Sequence, residues 1–206
     1  MNLLGRAPEP GCAKTRLIPA LGVEGAALAH AVLLTHVATQ ARRWCVSAGS
    51  GVLFRLWGTP DCSAPLFSLL AHPDERNIQP PGDFGERLAH IARSGLAEAD
   101  AVMLLGGDAV SLDSSTLEQA AEVLSRHPAV LIPAADGGYV LLGLRRFAPE
   151  LFDAIPWGSD RVAEATRQAL RALDWSWEEL PGHWDVDLPE DWERFRRLEK
   201  SWSDNC

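Results

Sequence analysis

The feature that most constrains this chain is Ala101-Val-Met-Leu-Leu-Gly-Gly-Asp108, an apolar run that ends in two glycines and one carboxylate. Five apolar residues in succession predict a strand covered on both faces, as in parallel sheets with helices above and below. Gly106 and Gly107 let the backbone leave the sheet with no Cβ in the way of a docked ligand. In open α/β sheets ligands bind beyond the carboxyl ends of the strands, which places Asp108 at the mouth of such a crevice. The competing reading makes Asp108 a helix cap. Asp113 to Ser115 offers a better one, with Ser115 and Glu118 in capping-box spacing.

The elements around this strand alternate. A short strand is expected near Met1 to Gly5 and a long Ala/Leu-rich helix over Glu24 to Trp44. Further strands are expected at Val52 to Trp57, Asn77 to Gln79, Ala129 to Ala134, Val140 to Leu144 and Trp175 to Glu178. Helices are expected at Ala64 to Ala71, Gly85 to Leu96, Thr116 to Arg126, after a cap at Ser159 or Asp160, and from Pro189 to about Lys200. Buried strands interleaved with helices predict a three-layer α/β/α sandwich around a mostly parallel sheet. His30 and His36, six apart, do not share a helix face and are read as structural. The length favours one domain over residues 1–200, with 201–206 as a disordered tail.

Charge narrows the partners. A net charge of −9 argues against nucleic acid, whose nonspecific binding depends on Lys and Arg releasing counterions. No apolar stretch was expected to reach the roughly 20 residues of a bilayer span, and the amino terminus lacks a signal-like segment. A cytoplasmic protein with no membrane span is therefore expected. Cys12, Cys45, Cys62 and Cys206 show no C-x-x-C spacing, so neither a zinc site nor a disulfide framework is predicted.

Against this acidic background the stretch from Arg6 to Leu17 is unusual: Arg6, Lys14 and Arg16 lie in a loop punctuated by Pro8, Pro10 and Gly11. The spacing is wrong for a P-loop, which needs four residues between its glycines and lysine directly after the second. What remains is a stiffened basic loop suited to phosphate oxygens, with Lys14 as a point charge and Arg16 as a fork. Strand ends deliver further acidic points. Asp136-Gly-Gly-Tyr139 repeats the carboxylate-with-glycines pattern, and Asp185 and Asp187, one residue apart in an extended segment, are able to face the same way. Close carboxylates repel, and a bound Mg²⁺ or Mn²⁺ reverses that penalty with hard oxygen ligands. The alternative is that Asp185 and Asp187 cap the last helix.

In this order Lys14-Thr-Arg-Leu17, Gly106-Gly-Asp108, Asp136-Gly-Gly-Tyr139, Trp157-Gly-Ser159 and Asp185-Val-Asp-Leu-Pro-Glu-Asp191 resemble a bacterial family of glycosyltransferase-A-like proteins of unassigned function. That family is similar to molybdenum cofactor guanylyltransferase and 2-phospholactate guanylyltransferase, in the nucleotide-diphospho-sugar transferase superfamily. The resemblance implies a Rossmann-like mixed sheet and a metal-dependent transferase, using a nucleoside triphosphate or nucleotide sugar as donor and a small molecule as acceptor. It implies that Lys14 and Asp108 are catalytic and that Arg6, Lys14, Arg16, Gly106 and Gly107 contact the nucleotide phosphates. Asp136, Gly137, Gly138, Tyr139 and Trp157 would shape the substrate pocket, and Asp108, Asp185 and Asp187 would hold Mg²⁺ or Mn²⁺. The family usually follows the central aspartate with a small polar residue and proline. This chain has Ala109-Val110, which motivates the alternative of a nucleotide-binding protein that keeps the fold without turnover.

Overall fold

The computed structural model describes residues 1–203, with side chains described to residue 199. Its strands are β1 (Asn2–Arg6), β2 (Arg55–Thr59), β3 (Arg76–Ile78), β4 (Val102–Gly106), β5 (Ala129–Pro133), β6 (Tyr139–Leu144) and β7 (Trp177–Glu179). They form one sheet in the order β3-β2-β1-β4-β6-β5-β7. Only β6 runs antiparallel to its neighbours; the pairs β1–β2, β1–β4, β2–β3 and β5–β7 are parallel. The expected mixed, mostly parallel sheet is therefore present.

Alternation along each strand divides the core. Leu3, Met103, Leu105, Val130 and Ile132 point to one face, which is covered by α1 (Ile18–Ala48), α2 (Pro65–Leu70), α4 (Ser114–Arg126) and α6 (Pro189–Ser203). Leu4, Val102, Leu104, Leu131 and Leu142 point to the other, covered by α3 (Phe84–Leu96) and α5 (Val162–Ala172). Leu33, Leu34 and Ile91 are fully buried, and each such side chain contributes roughly 1.5–3 kcal/mol relative to exposure. The Ala-rich face of α1 lets it lie close: Gly5 and Gly107 leave a notch in the sheet that Leu34 fills.

Several elements differ from expectation for identifiable reasons. Strand β1 lies in the middle of the sheet, ends at Arg6 rather than Gly5, and pairs from Asn2 to Arg6 with β2 and from Asn2 to Leu4 with β4. Strand β2 begins at Arg55 rather than Val52, because Arg55 is the residue opposite Asn2, where β1 starts. Helix α1 begins earlier than Glu24, across a break at Gly22 with φ 72°, a conformation that favours glycine. The helical run Thr15–Ala48 contains a stretch long and apolar enough, by length and composition alone, to cross a bilayer. This corrects the expectation that no stretch reaches that length. In the fold the run packs on the sheet, burying Leu33, Leu34, Val37, Ala38 and Ala41.

The cap of α4 falls in the expected stretch but without the capping box, and the cap of α5 differs. Helix α4 is capped by Asp113, which accepts from the Thr116 amide at 2.8 Å. Glu118 makes no capping box and accepts instead from Trp44 Nε1 at 2.8 Å, tying α4 to α1. Neither Ser159 nor Asp160 occupies the cap position of α5, which is Arg161. Ser159 Oγ donates to the Pro156 carbonyl at 2.7 Å and accepts from the Arg161 amide, folding the loop back on itself. The last helix extends past residue 200 to Ser203. The rest of the predicted tail, 204–206, lies outside the described residues, as does Cys206; Cys12, Cys45 and Cys62 are free thiols.

Candidate functional site

The chain leaves β1 for β2 on one side and later returns to place β4 on the other. This reversal opens a crevice at the carboxyl ends of β1 and β4, the position where open α/β sheets bind ligands. The loop after β1 and the loop after β4 meet there. Lys14 sits in left-handed backbone geometry, φ 45° and ψ 49°, which is costly for a side chain with a Cβ and is found where surrounding structure enforces it. Its side chain is 8% exposed, and Nζ donates to Asp108 Oδ2 at 2.6 Å and lies 3.6 Å from Asp187 Oδ1. Arg16 pairs with the other oxygen of Asp187.

Burial works against the Lys14 charge, but Asp108, and then Asp187 and Asp185, overcome it and hold its pKa above the ordinary value. Burial likewise opposes the Asp108 carboxylate, and Lys14 reverses this, holding its pKa below the usual range. Asp108 is therefore not a cap; that role belongs to Asp113.

The segment 183–187 is delivered by two anchors. The His183 amide donates to the Pro133 carbonyl at 2.9 Å, extending the β5 edge through an isolated bridge from Ala134. Ser111, in the loop after β4, donates to the Trp184 carbonyl at 2.7 Å, accepts from the Trp184 amide at 2.9 Å and lies 3.1 Å from His183 Nδ1. Val186 is fully buried, and the carboxylates flanking it converge on Lys14. The capping alternative fails here too: the amides of Asp187 and Leu188 are taken by Asp191 Oδ2, while Asp187 turns to Lys14 and Arg16.

Asp185 is the perturbed acid of the group. Burial first, then the charges of Asp108 and Asp136, push its pKa up to about 6. Among the described residues no three His, Cys, Asp or Glu side chains already stand as a metal-binding group. The donor chemistry nonetheless fits a hard divalent cation: Asp108 and Asp185 would offer it carboxylate oxygens, and such an ion would relieve their mutual repulsion. Asp187 is the weakest of the three expected ligands, since both its oxygens face cations of the chain.

Two cavities meet at this point, sharing Leu4, Arg16, Phe84, Gly106 and Asp187. The first, of about 390 Å³, is lined by Arg6, Lys14, Arg16, Arg87, Gly107 and His30. The second, of about 550 Å³, is lined by Asp136, Gly138, Tyr139, Trp157, Ser159 and Asp160. The expected phosphate-binding and substrate-pocket residues thus fall into two adjoining lobes, except Gly137. Gly137 does not line the second lobe: with φ 89°, a Cβ there would run into the Asp160 carbonyl, and its own carbonyl accepts from the Ala163 amide at 2.9 Å. Gly107 does line the first lobe, but a Cβ would lie 2.7 Å from the Leu4 carbonyl and 2.8 Å from Leu34, so its small size serves helix packing. Gly106 is the glycine that opens to both lobes.

Trp157 meets Phe84 edge-on at 5.1 Å and Tyr139 at 6.2 Å between ring centroids. Its Nε1 donates to the Phe152 carbonyl at 3.3 Å. The Tyr139 hydroxyl is shielded and has no hydrogen-bond partner, and burial raises its pKa. His30, read as structural from the sequence, lines the first lobe. Its Nε2 lies 3.0 Å from the Arg6 carbonyl, which fixes Nε2 as the protonated nitrogen, and burial lowers its pKa. Phe84 and Arg87 are not expected from the sequence either; Phe84 begins α3 directly after the capping Asp83, and Arg87 follows one turn on. A further cavity of about 550 Å³ opens at the amino ends of the strands, where Arg55 is paired with Glu98 and Glu118 holds Trp44. Arg55, Glu98 and Glu118 are thus engaged in holding the fold.

The family described as "Uncharacterized protein conserved in bacteria (DUF2064)" matches residues 46–159, more than half the chain. The chain belongs to this family. Among solved structures it is similar to a protein of Desulfovibrio desulfuricans G20 provisionally named a nucleotide-diphospho-sugar transferase. The two are 28% identical with a TM-score of 0.81, over 91% of this chain and 81% of that one. It shares its fold with a CMP:2-keto-3-deoxy-manno-octonic acid synthetase complexed with CTP, at 13% identity and a TM-score of 0.58 over 97% of each chain. A 4-diphosphocytidyl-2C-methyl-D-erythritol synthase of Anaerococcus prevotii shares it at 10% identity and a TM-score of 0.55, again over 97% of each chain. The fold is thus that of nucleotide-dependent transferases. No curated protein matches the chain.

Proposed function

We propose that this protein transfers a nucleotidyl or glycosyl group from a nucleotide donor to a small-molecule acceptor, with Mg²⁺ or Mn²⁺ held by Asp108 and Asp185. The observation that carries the reading is Lys14: a lysine forced into left-handed geometry and held between Asp108 and Asp187 at the switch point of the sheet. Lys14 and Arg16 bind the donor phosphates in the 390 Å³ lobe, Arg6 adds charge at its edge, and the carboxylates keep Lys14 protonated and in place. The acceptor occupies the 550 Å³ lobe and meets the donor over Gly106. Its hydroxyl oxygen forms a bond to the α-phosphorus as pyrophosphate leaves, or to the anomeric carbon as a nucleoside diphosphate leaves, and the hydroxyl proton passes to solvent at the acidic rim. The divalent ion, when bound, neutralises charge on the leaving phosphates. Most of the acceleration comes from positioning and fixed charge.

Ala109 and Val110 do not weaken this reading. They are 1% and 3% exposed, packed in the core under α1, so their apolar character answers a packing requirement and leaves Asp108 in place. The similarity to the Desulfovibrio protein supports a donor that is a nucleotide sugar. The test is a thermal-shift panel of nucleoside triphosphates and nucleotide sugars, each with and without Mn²⁺, followed by assays for released pyrophosphate or nucleoside diphosphate. A donor at 100 times its Kd stabilises the fold by about 2.7 kcal/mol. The released product then tells nucleotidyl from glycosyl transfer. A panel in which no nucleotide shifts the melting temperature, with or without metal, overturns the proposal.

A further inference from the structure

The two lobes carry opposite charge, and this bears on the acceptor. The 390 Å³ lobe holds the cations of the site: Arg6, Lys14, Arg16 and Arg87. In the 550 Å³ lobe the lining carboxylates are Asp136, Asp160 and Asp187, and the only lining cation is Arg16. Arg16 is already paired with Asp187. Asp136 and Asp160 have no ion pair among the described residues; Asp136 Oδ1 is engaged only by the Gly138 amide at 2.9 Å. Both are exposed, so they form a rim, while the lobe's wall and floor are Leu88, Leu104, Val140, Phe84, Tyr139 and Trp157. The rim carboxylates repel a like charge across screening water, and a charge of either sign carried down to that floor would have no buried partner.

We infer that this lobe takes an uncharged, hydroxylated acceptor with an apolar face, and that it selects against phosphorylated ones. This rests on the transferase reading and names the acceptor class for it. A sugar ring fits the chemistry: its C–H face lies on the aromatic wall, and its hydroxyls donate to the rim carboxylates. A phosphate monoester brings its negative charge to Asp136 and Asp160, where no free cation answers it. A cationic amine also loses hydration over the apolar floor, and the exposed, screened rim offsets that only in part, whereas for a phosphate the rim adds repulsion to the same loss.

The inference is tested by saturation-transfer NMR on the full chain without donor or metal, using glucose, glucose 6-phosphate, glucosamine and phenyl β-D-glucoside, and the matching ribose and ribose 5-phosphate pair. Neutral members are expected to receive saturation from the aromatic wall, with each phosphate ester weaker by at least roughly tenfold. Stronger transfer to the phenyl glucoside than to glucose identifies an acceptor with a larger apolar body, and equal transfer identifies the sugar ring itself. Replacing Phe84, which is 48% exposed, by alanine is expected to reduce transfer to the neutral probes. The exposed-site pair Asp136→Asn with Asp160→Asn is expected to narrow the discrimination against phosphate. A phosphate ester or the amine binding better than its neutral parent, or no transfer to any neutral probe at millimolar concentration, overturns the inference. No donor or turnover enters this measurement. A chain that binds nucleotides but prefers phosphorylated sugars breaks this inference alone, and one that shows the neutral preference but never binds a nucleotide breaks only the transferase reading.

Discussion

The two lobes that meet at Gly106 are built from different parts of the chain, and their chemistry follows from that difference. The cationic lobe takes three of its four cations, Arg6, Lys14 and Arg16, from the end of β1 and the loop after it, where prolines and glycine stiffen a short stretch; Arg87, Asp108 and Asp187 join them from elsewhere. The acidic lobe is assembled from the start of α3, the β5–β6 turn, the 156–162 loop and the 183–187 segment, which have no sequence neighbourhood in common. Most of the cationic surface is thus encoded in one stretch, whereas the second surface exists only once several distant segments have packed. It follows that changes in the first loop should strike chemistry directly, and changes around the second should act partly through the fold.

The sharpest way to break this division is Lys14→Ala. Removing one preorganised donor to developing charge typically costs about 10²–10³ in kcat, so single-turnover transfer is expected to fall by that factor with the acceptor lobe unaffected. A rate within a factor of a few of the parent would show that the cationic loop is not the donor site. On the acidic side, Gly137→Ala puts a Cβ into the Asp160 carbonyl at φ 89°. A loss of about 2–3 kcal/mol in urea unfolding is expected. An unchanged midpoint would mean that the turn and the 160 loop are not locked together.

The divide between local and assembled also explains what the sequence reveals. Lys14, Asp108, Asp187, Tyr139 and Trp157 are legible because strand ends and Pro/Gly-rich loops leave local marks, and the structure brings these residues around one point. Gly107 and Gly137 carry the same local marks but also answer to distant partners, Leu34 and Asp160, and of the two Gly137 stands outside the lobe expected for it. His30 gives no signal beyond being one of two histidines in an Ala-rich helix; only the rotation of α1 on the sheet sends it to Arg6. Ser111 lies 72 residues from His183, and no spacing rule connects them.

A smaller effect comes from Asp185. Its folded pKa, pushed up to about 6, exceeds the ordinary carboxylate value of 3.8, so between these pH values the native state binds more protons than the unfolded chain. Stability therefore falls as pH rises through that window, and the loss is complete above about pH 6. Asp185→Asn removes this penalty. After allowance for its partial exposure, a gain of about 1–2 kcal/mol is expected at pH 8, fading below about pH 4. Denaturation curves at both pH values check it. A gain that does not depend on pH would place the cause in packing, and metal affinity retained in the variant would remove Asp185 from the ion site.

The smallest expected effect, and the one that best separates the two lobes, is at Ser111. Its hydroxyl touches neither lobe, yet it holds both backbone groups of Trp184 and faces His183, and through them it sets where Asp185 and Asp187 stand. Ser111→Ala leaves those groups without a partner, which costs about 1 kcal/mol of stability. A positioning role predicts more than that: Mn²⁺ affinity and kcat should fall by roughly tenfold, while metal-free nucleotide binding at Lys14 and Arg16 stays within about twofold. If the melting temperature drops but Mn²⁺ affinity and kcat do not, Ser111 is a staple of the fold and the 183–187 segment is held well enough without it. If nucleotide binding falls in step with metal binding, the lobes are not separable, because Asp187 then transmits the disturbance to both of its cations.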